Sequence, residues 1–144
     1  MRKLIMLFAF VALIIVRANA SDSCKILFNK QVIFNGAADQ ETAVALLKAK
    51  IFKPKDCIAI SYKSETANKG WERTFYINDA SEKSLKVITL NKQSGSVAVK
   101  ASILNKMKEK KQPVFIYTTS LPTDKALAAR VRVRRIFICK IEWN

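Results

Sequence analysis

The apolar run from Leu4 to Val16, preceded by Arg2 and Lys3 and followed by Ala18-Asn19-Ala20, divides this chain into a leader and a part that has to fold. A basic start, a short apolar stretch and small residues at a cleavage point form the pattern of a secretory signal. The run is too short to cross a hydrocarbon core, which takes about 20 residues of helix. Cleavage after Ala20 is therefore expected, giving a secreted or periplasmic protein that begins at Ser21. Cys24 does not directly follow the cleavage point, as lipid attachment would require, so membrane contact is expected to be peripheral at most.

Residues 21–144 amount to one domain's worth of chain, long enough to bury a core without covalent staples. Gly and Pro each occur only three times, and no repeat or low-complexity tract interrupts the sequence. A single regular globular domain is expected. Cys24, Cys57 and Cys139 make an odd set, so either one disulfide and a spare thiol or three buried thiols are open.

Without Arg2, Lys3 and Arg17, 23 of the 26 basic residues remain against 11 acidic ones, a net charge of +12. The surplus is uneven: residues 100–140 hold eleven Lys and Arg but only Glu109 and Asp124 as acids. A basic half of this kind favours an acidic partner, whether lipid head group, glycan, nucleic acid or protein surface. A lysine-rich solvated surface is the plainer explanation of the same numbers.

Apolar continuity and spacing suggest the elements. CKILF (24–28) and QVIF (31–34) are one bent strand or two short ones. Ala43, Leu46, Leu47 and Lys50 fall at i, i+3, i+4 and i+7, so a helix capped by Asp39 is expected through about Lys50. CIAISY (57–62), WERTFYI (71–77) and LKVITL (85–90) form an antiparallel meander, with Trp71, Arg73, Phe75 and Ile77 sharing a face. Gly95 and Ser96 open a second helix that ends at Gln112-Pro113. Val114 to Tyr117 reads as a central strand covered on both faces, Thr123 caps a short helix through Ala129, and Val131 to Trp143 alternates as a long final strand. The expected fold class is α+β, one mostly antiparallel or mixed sheet with two longer helices and one short one, in the order β-α-β-β-β-α-β-α-β.

The chain contains no histidine, which removes imidazole acid–base work, Ser-His-Asp and Cys-His nucleophiles and the common zinc sites. Asp56, Asp79 and Glu82 are scattered singly, so no metal or cofactor site is expected. On the final strand Arg130, Arg132 and Arg134 alternate onto one face, with Arg135 intruding on the other. Guanidinium forks spaced about 6.5–7 Å apart on a strand match a row of carboxylates, phosphates or sulfates. They equally suit an edge strand guarded by charge. Thr118, Thr119, Thr123 and Lys125 form a candidate anion crevice at the end of the central strand, although no Gly lets the backbone close around a phosphate. Among Tyr62, Trp71, Phe75 and Tyr76, which could make a stacking platform beside Lys63, Lys69 and Arg73, Trp71 is the candidate exposed contact.

These features lead to an expected exported, non-catalytic binding module that captures an anionic partner through Arg130, Arg132, Arg134 and Arg135. Two alternatives accompany it. One is a small His-free hydrolase or nuclease in which Thr118, Thr119, Asp124 and an arginine converge in a cleft. The other is an adaptor that adds a partner's strand to an exposed sheet edge.

Overall fold

A computed structural model describes residues 21–48, 52–66 and 68–144; the leader and its cleavage point lie outside the described residues. The first four strands come from apolar runs, and all but the second alternate in burial with period two, the pattern of a strand with one face inward. They are β1 (Ser23–Phe28), β2 (Gln31–Ala37), β3 (Val44–Leu47) and β4 (Cys57–Lys63). β5 (Trp71–Asn78), β6 (Ser84–Leu90), β7 (Gly95–Lys100), β8 (Val114–Pro122) and β9 (Ile136–Trp143) follow. A 3-10 turn at Ala101–Leu104 runs into α1 (Asn105–Glu109), and α2 is a single turn, Lys125–Ala128. Strand accounts for 52% of the described chain and helix for 11%, so the molecule is a β protein.

The strands form a four-stranded sheet in the order β2-β1-β4-β7 and a five-stranded sheet in the order β3-β9-β8-β5-β6. All pairs are antiparallel except β3 with β9, where Val44 to Leu47 run alongside Lys140 to Trp143. One core lies between the sheets: Ile26, Ile58, Ile60, Tyr62, Val97 and Val99 from the first meet Ala45, Leu47, Phe75, Ile77, Ile116 and Ile138 from the second. The Tyr62 and Phe75 rings meet edge to face across this interface, 6.5 Å apart. This is a two-sheet sandwich, whose facing sides supply the core.

The structure corrects the α+β expectation in three segments. The stretch around Ala43–Leu47 fits period two as well as period 3.6. Ala43, Ala45 and Leu47 point inward while Val44 and Leu46 stay exposed, and pairing with β9 satisfies a backbone that a helix would have satisfied alone. Asp39 caps no helix; it has a positive φ of 65° and its carboxylate is taken by Arg134. Gly95–Lys100 is likewise a strand, since Val97 and Val99 alternate inward opposite Ile60 and Ile58 of β4, and helix begins only at Ala101. The last strand begins at Ile136 rather than Val131. Residues 131–135 belong to an irregular crossover, held by side-chain contacts to Asp39, Glu82 and Tyr117 rather than by a strand ladder.

Three other expectations change. CIAISY, WERTFYI and LKVITL do not form one meander: β4 pairs with β1 and β7 in the four-stranded sheet, whereas β5 pairs with β6 and β8 in the other, so the 64–70 connection crosses between sheets instead of closing a hairpin. The 24–34 region is a hairpin of two strands, and its turn residues Asn29 and Lys30 both have positive φ. β8 is central in its sheet, but at its apolar start Val114 and Ile116 are fully buried while Phe115 and Tyr117 are half-buried on the outer face; further along, Thr118, Thr119 and Pro122 are buried. All three cysteines are free thiols. Burial pushes the Cys24 thiol up to about 11 and raises that of Cys139 further, so both stay protonated within the core.

Ile116 is 0% exposed at the middle of the core, so Ile116→Ala should cost about 2–5 kcal/mol through lost burial and a cavity. Val87, 47% exposed on the outer face, should tolerate Val87→Ala within about 0.5 kcal/mol. Urea unfolding of the two variants checks the assignment of faces; equal costs would contradict it.

Candidate functional site

The alternation of β5 carries Arg73 into the interior along with Phe75 and Ile77, and the side chain is 2% exposed. A buried guanidinium has to find acceptors, because leaving its donors unmet costs more than ordinary packing returns. Here Nε donates to the Gln93 carbonyl at 2.6 Å, Nη1 donates to Thr118 Oγ1 at 3.3 Å, and the group stacks on the Tyr62 ring, 3.8 Å from its centroid. Tyr62 in turn donates its hydroxyl to Asp22 Oδ2 at 2.6 Å. Asp22 Oδ1 also accepts the Glu65 N–H at 2.8 Å. The Gln93 side chain accepts the Asn68 N–H at 2.7 Å and donates to Ser120 Oγ at 3.3 Å.

Burial tends to raise the Asp22 carboxyl, but the Tyr62 hydroxyl, the Glu65 amide, the Arg73 charge and the Ser64 hydroxyl together outweigh it and hold the group below 3.8. Burial first, and then donation to Asp22, push the Tyr62 phenol well above its ordinary range. The network thus joins a cation, a neutral phenol and an anion through both sheets. It ties together the β4–β5 and β6–β7 loops, where Trp71 is half-buried in the wall of a shallow polar hollow with Asn68, Lys69, Asn91 and Lys92. Tyr62 and Phe75 lie in the core, so the stacking platform expected from Tyr62, Trp71, Phe75 and Tyr76 is not formed by that set.

The expected anion crevice is not formed either. Thr118 points inward and donates to the Thr74 carbonyl, whereas Thr119 lies outward near the Tyr76 hydroxyl. Thr123 donates to the Gly70 carbonyl, and the cap of α2 is Asp124, which accepts the Leu127 N–H at 2.7 Å. Lys125 stands exposed on the single helical turn. Neighbouring strand residues alternate faces, so Thr118, Thr119 and Asp124 do not converge as the hydrolase alternative requires.

The four arginines share the β8–β9 crossover, but as a loop rather than an alternating strand face. Arg134 pairs with Asp39, and Arg135 lies 3.6 Å from Glu82 while its guanidinium stacks on Tyr117, 3.8 Å from the ring centroid. Arg130 and Arg132 are exposed and make no ion pair among the described residues. Beside the crossover, the outer face of the five-stranded sheet carries a row that sequence reasoning missed. Val87, Tyr76, Tyr117 and Phe137 stand opposite one another across β6, β5, β8 and β9. The Tyr117 and Phe137 rings are 5.5 Å apart. The signal available in sequence was the alternation of Phe115 and Tyr117 against Ile116, which an apolar run conceals.

The depressed Asp22 carboxyl contributes stability that is complete above the ordinary value of 3.8 and is lost as pH falls toward the lower folded-state value. Asp22→Asn should lower stability at neutral pH and flatten the acid limb of a stability-against-pH curve. Arg73→Met, which leaves the Gln93 carbonyl and Thr118 without their donor, should cost about 1–3 kcal/mol at neutral pH. Urea midpoints over an acid-to-neutral series measure both, and parallel curves for wild type and Asp22→Asn would contradict the assignment. Compared with protein-family models and with curated proteins, the chain matches none, so its functional reading rests on these residues alone.

Proposed function

We propose that this is an exported binding module, working in a secreted or periplasmic setting, that captures an anionic polymer on the outer face of its five-stranded sheet and the adjoining arginine crossover. The observation that carries the reading is the stack of Arg135 on Tyr117, within a row of half-buried rings, on a crossover that also holds Arg130 and Arg132, exposed and without an ion pair among the described residues. Rings offer faces to sugars or bases, and guanidinium forks offer bidentate donors to carboxylate, sulfate or phosphate. The combination favours an acidic glycan or a nucleic acid over a lipid surface.

The two arginine ion pairs do not remove those cations from use. Both are exposed, with Arg134 74% and Arg135 40% accessible, and exposed pairs are worth about 0–1 kcal/mol. An incoming polyanion that offers several charges at once outcompetes a single surface carboxylate. The adaptor alternative draws less support. β3 is only four residues long, and β6 carries Lys86 and is bounded by Lys83 and Lys92, which are features that blunt strand addition.

Heparin and a single-stranded oligonucleotide should bind with affinity that falls steeply from low to moderate salt, because the contacts lie at the surface. The Arg130→Gln/Arg132→Gln double variant should weaken binding by at least about tenfold and reduce the salt slope, without changing the unfolding midpoint. Tyr117→Ala should weaken the polymers but not anionic vesicles. Affinity independent of salt, or vesicle binding stronger than polymer binding, would refute the proposal.

A further inference from the structure

The outer face of the five-stranded sheet changes character along its strands, and β5 shows the order. Its outward side chains are Glu72, Thr74 and Tyr76, the alternates of the inward Arg73, Phe75 and Ile77. Thr74 stands opposite Thr89 of β6 and Thr119 of β8, just as Tyr76 stands opposite Val87 and Tyr117. A rank of hydroxyls therefore runs beside the ring row, about 6.5–7 Å from it, which is two residues along a strand. The Thr74 and Thr89 hydroxyls are 3.0 Å apart, and the Tyr76 hydroxyl lies 3.4 Å from that of Thr119. Thr89 is exposed, Thr74 half-buried and Thr119 nearly buried, so the rank is open at its β6 end.

The cation and the acid of this surface lie on opposite sides of the hydroxyls. Arg135 covers Tyr117 in the ring row, whereas Glu72 stands one step beyond Thr74 and makes no ion pair among the described residues. A nucleic-acid strand carries an acceptor-only anion at every residue, and Glu72 repels it. The guanidinium also takes up a face of Tyr117, so the middle of the row offers a cation rather than a bare ring on which a base could stack. A pyranose meets the same surface differently. Its hydroxyls donate as well as accept, which suits a carboxylate and threonines together, and its flat C–H face suits a ring.

We propose that the polymer is an acidic polysaccharide rather than a nucleic acid, an inference that rests on the polymer-binding reading above. A uronate ring lies with its C–H face on Tyr76 and Val87, its hydroxyl edge toward Thr74, Thr89 and Glu72, and its carboxylate toward Arg135, whose fork matches that group in bidentate fashion.

Titration with hexagalacturonate and hexathymidylate, anionic oligomers of equal length, tests this at low salt. The uronate should bind the wild-type protein at least about tenfold more tightly, the equivalent of one or two hydrogen bonds. Thr74→Val keeps the β-branched shape and should weaken the uronate by about threefold or more without changing the oligonucleotide. Glu72→Gln should weaken the uronate and strengthen the oligonucleotide, because it removes an acceptor from one and a repulsion from the other. Equal or tighter binding of hexathymidylate, or uronate affinity unchanged in both variants, would overturn the polysaccharide assignment while polymer capture stood. Failure of both oligomers and of heparin to bind at low salt would remove the polymer-binding reading and this inference with it.

Discussion

The guanidinium of Arg73, buried between the sheets, is the constraint around which the sandwich is arranged. An apolar residue there would pack with any orientation of the facing sheet. A cation demands acceptors at fixed positions, and these come from β4, β8 and the β6–β7 loop. Tyr62 has to present its ring face, which directs its hydroxyl to Asp22 at the start of the four-stranded sheet. Gln93 has to hold its carbonyl inward, and its side chain then anchors Asn68. Groups of low contact order could not supply this set; Thr118 and Tyr62 are far from Gln93 in sequence. A buried charge of this kind contributes less to net stability than to specifying one arrangement of the sheets, since mispaired alternatives would strand it.

What could be read from the chain divides along physical lines. β4, β5 and β6 were legible as strands because their runs are β-branched and aromatic, and the alternation in WERTFYI correctly placed Arg73 with Phe75 and Ile77, but the meander expected of them is not formed, because β4 belongs to the opposite sheet from β5 and β6. It could not show that this face was internal, nor name Asp22 and Gln93, because those contacts depend on which strands meet. β3 was misread because alanine and leucine serve helix and strand alike, and the choice was made by an available edge on β9. β7 was misread because true helical spacing, present from Ala101 onward, extends backwards into a segment whose valines had partners on β4. The arginines were rightly singled out as a cluster, but their alternation promised a strand that found no ladder, and the ring that orders Arg135 lay hidden in VFIY.

Charge placement separates structural from available cations more clearly than charge counting. Arg73 is fully committed to the interior, and its removal would leave acceptors without donors. Arg134 and Arg135 fasten the crossover to Asp39 and Glu82, yet in water such contacts hold a loop only weakly. Arg130 and Arg132 make no ion pair among the described residues. The N-terminal end of the crossover is fastened by main-chain bonds instead, the Arg130 N–H donating to the Leu127 carbonyl at 3.0 Å.

The same topology explains why, among the described residues, an apolar cleft walled by Phe28, Ile33, Leu46, Leu47 and Phe52 opens on the β2–β3 flank. β6 and β7 also pass from one sheet to the other, but their connection is short, and Gln93 within it is drawn inward by Arg73, so that flank is sealed by the polar network. The β2–β3 connection performs no such service at the far end of its strands. There closure is left to the rings of Phe28, Phe52 and Trp143, with the indole fixed by donation to the Gln112 carbonyl. Rings that meet at tilted angles fill space less completely than interdigitated aliphatic chains, and the adjoining helix contributes a lysine, Lys108, where a leucine would have completed the core.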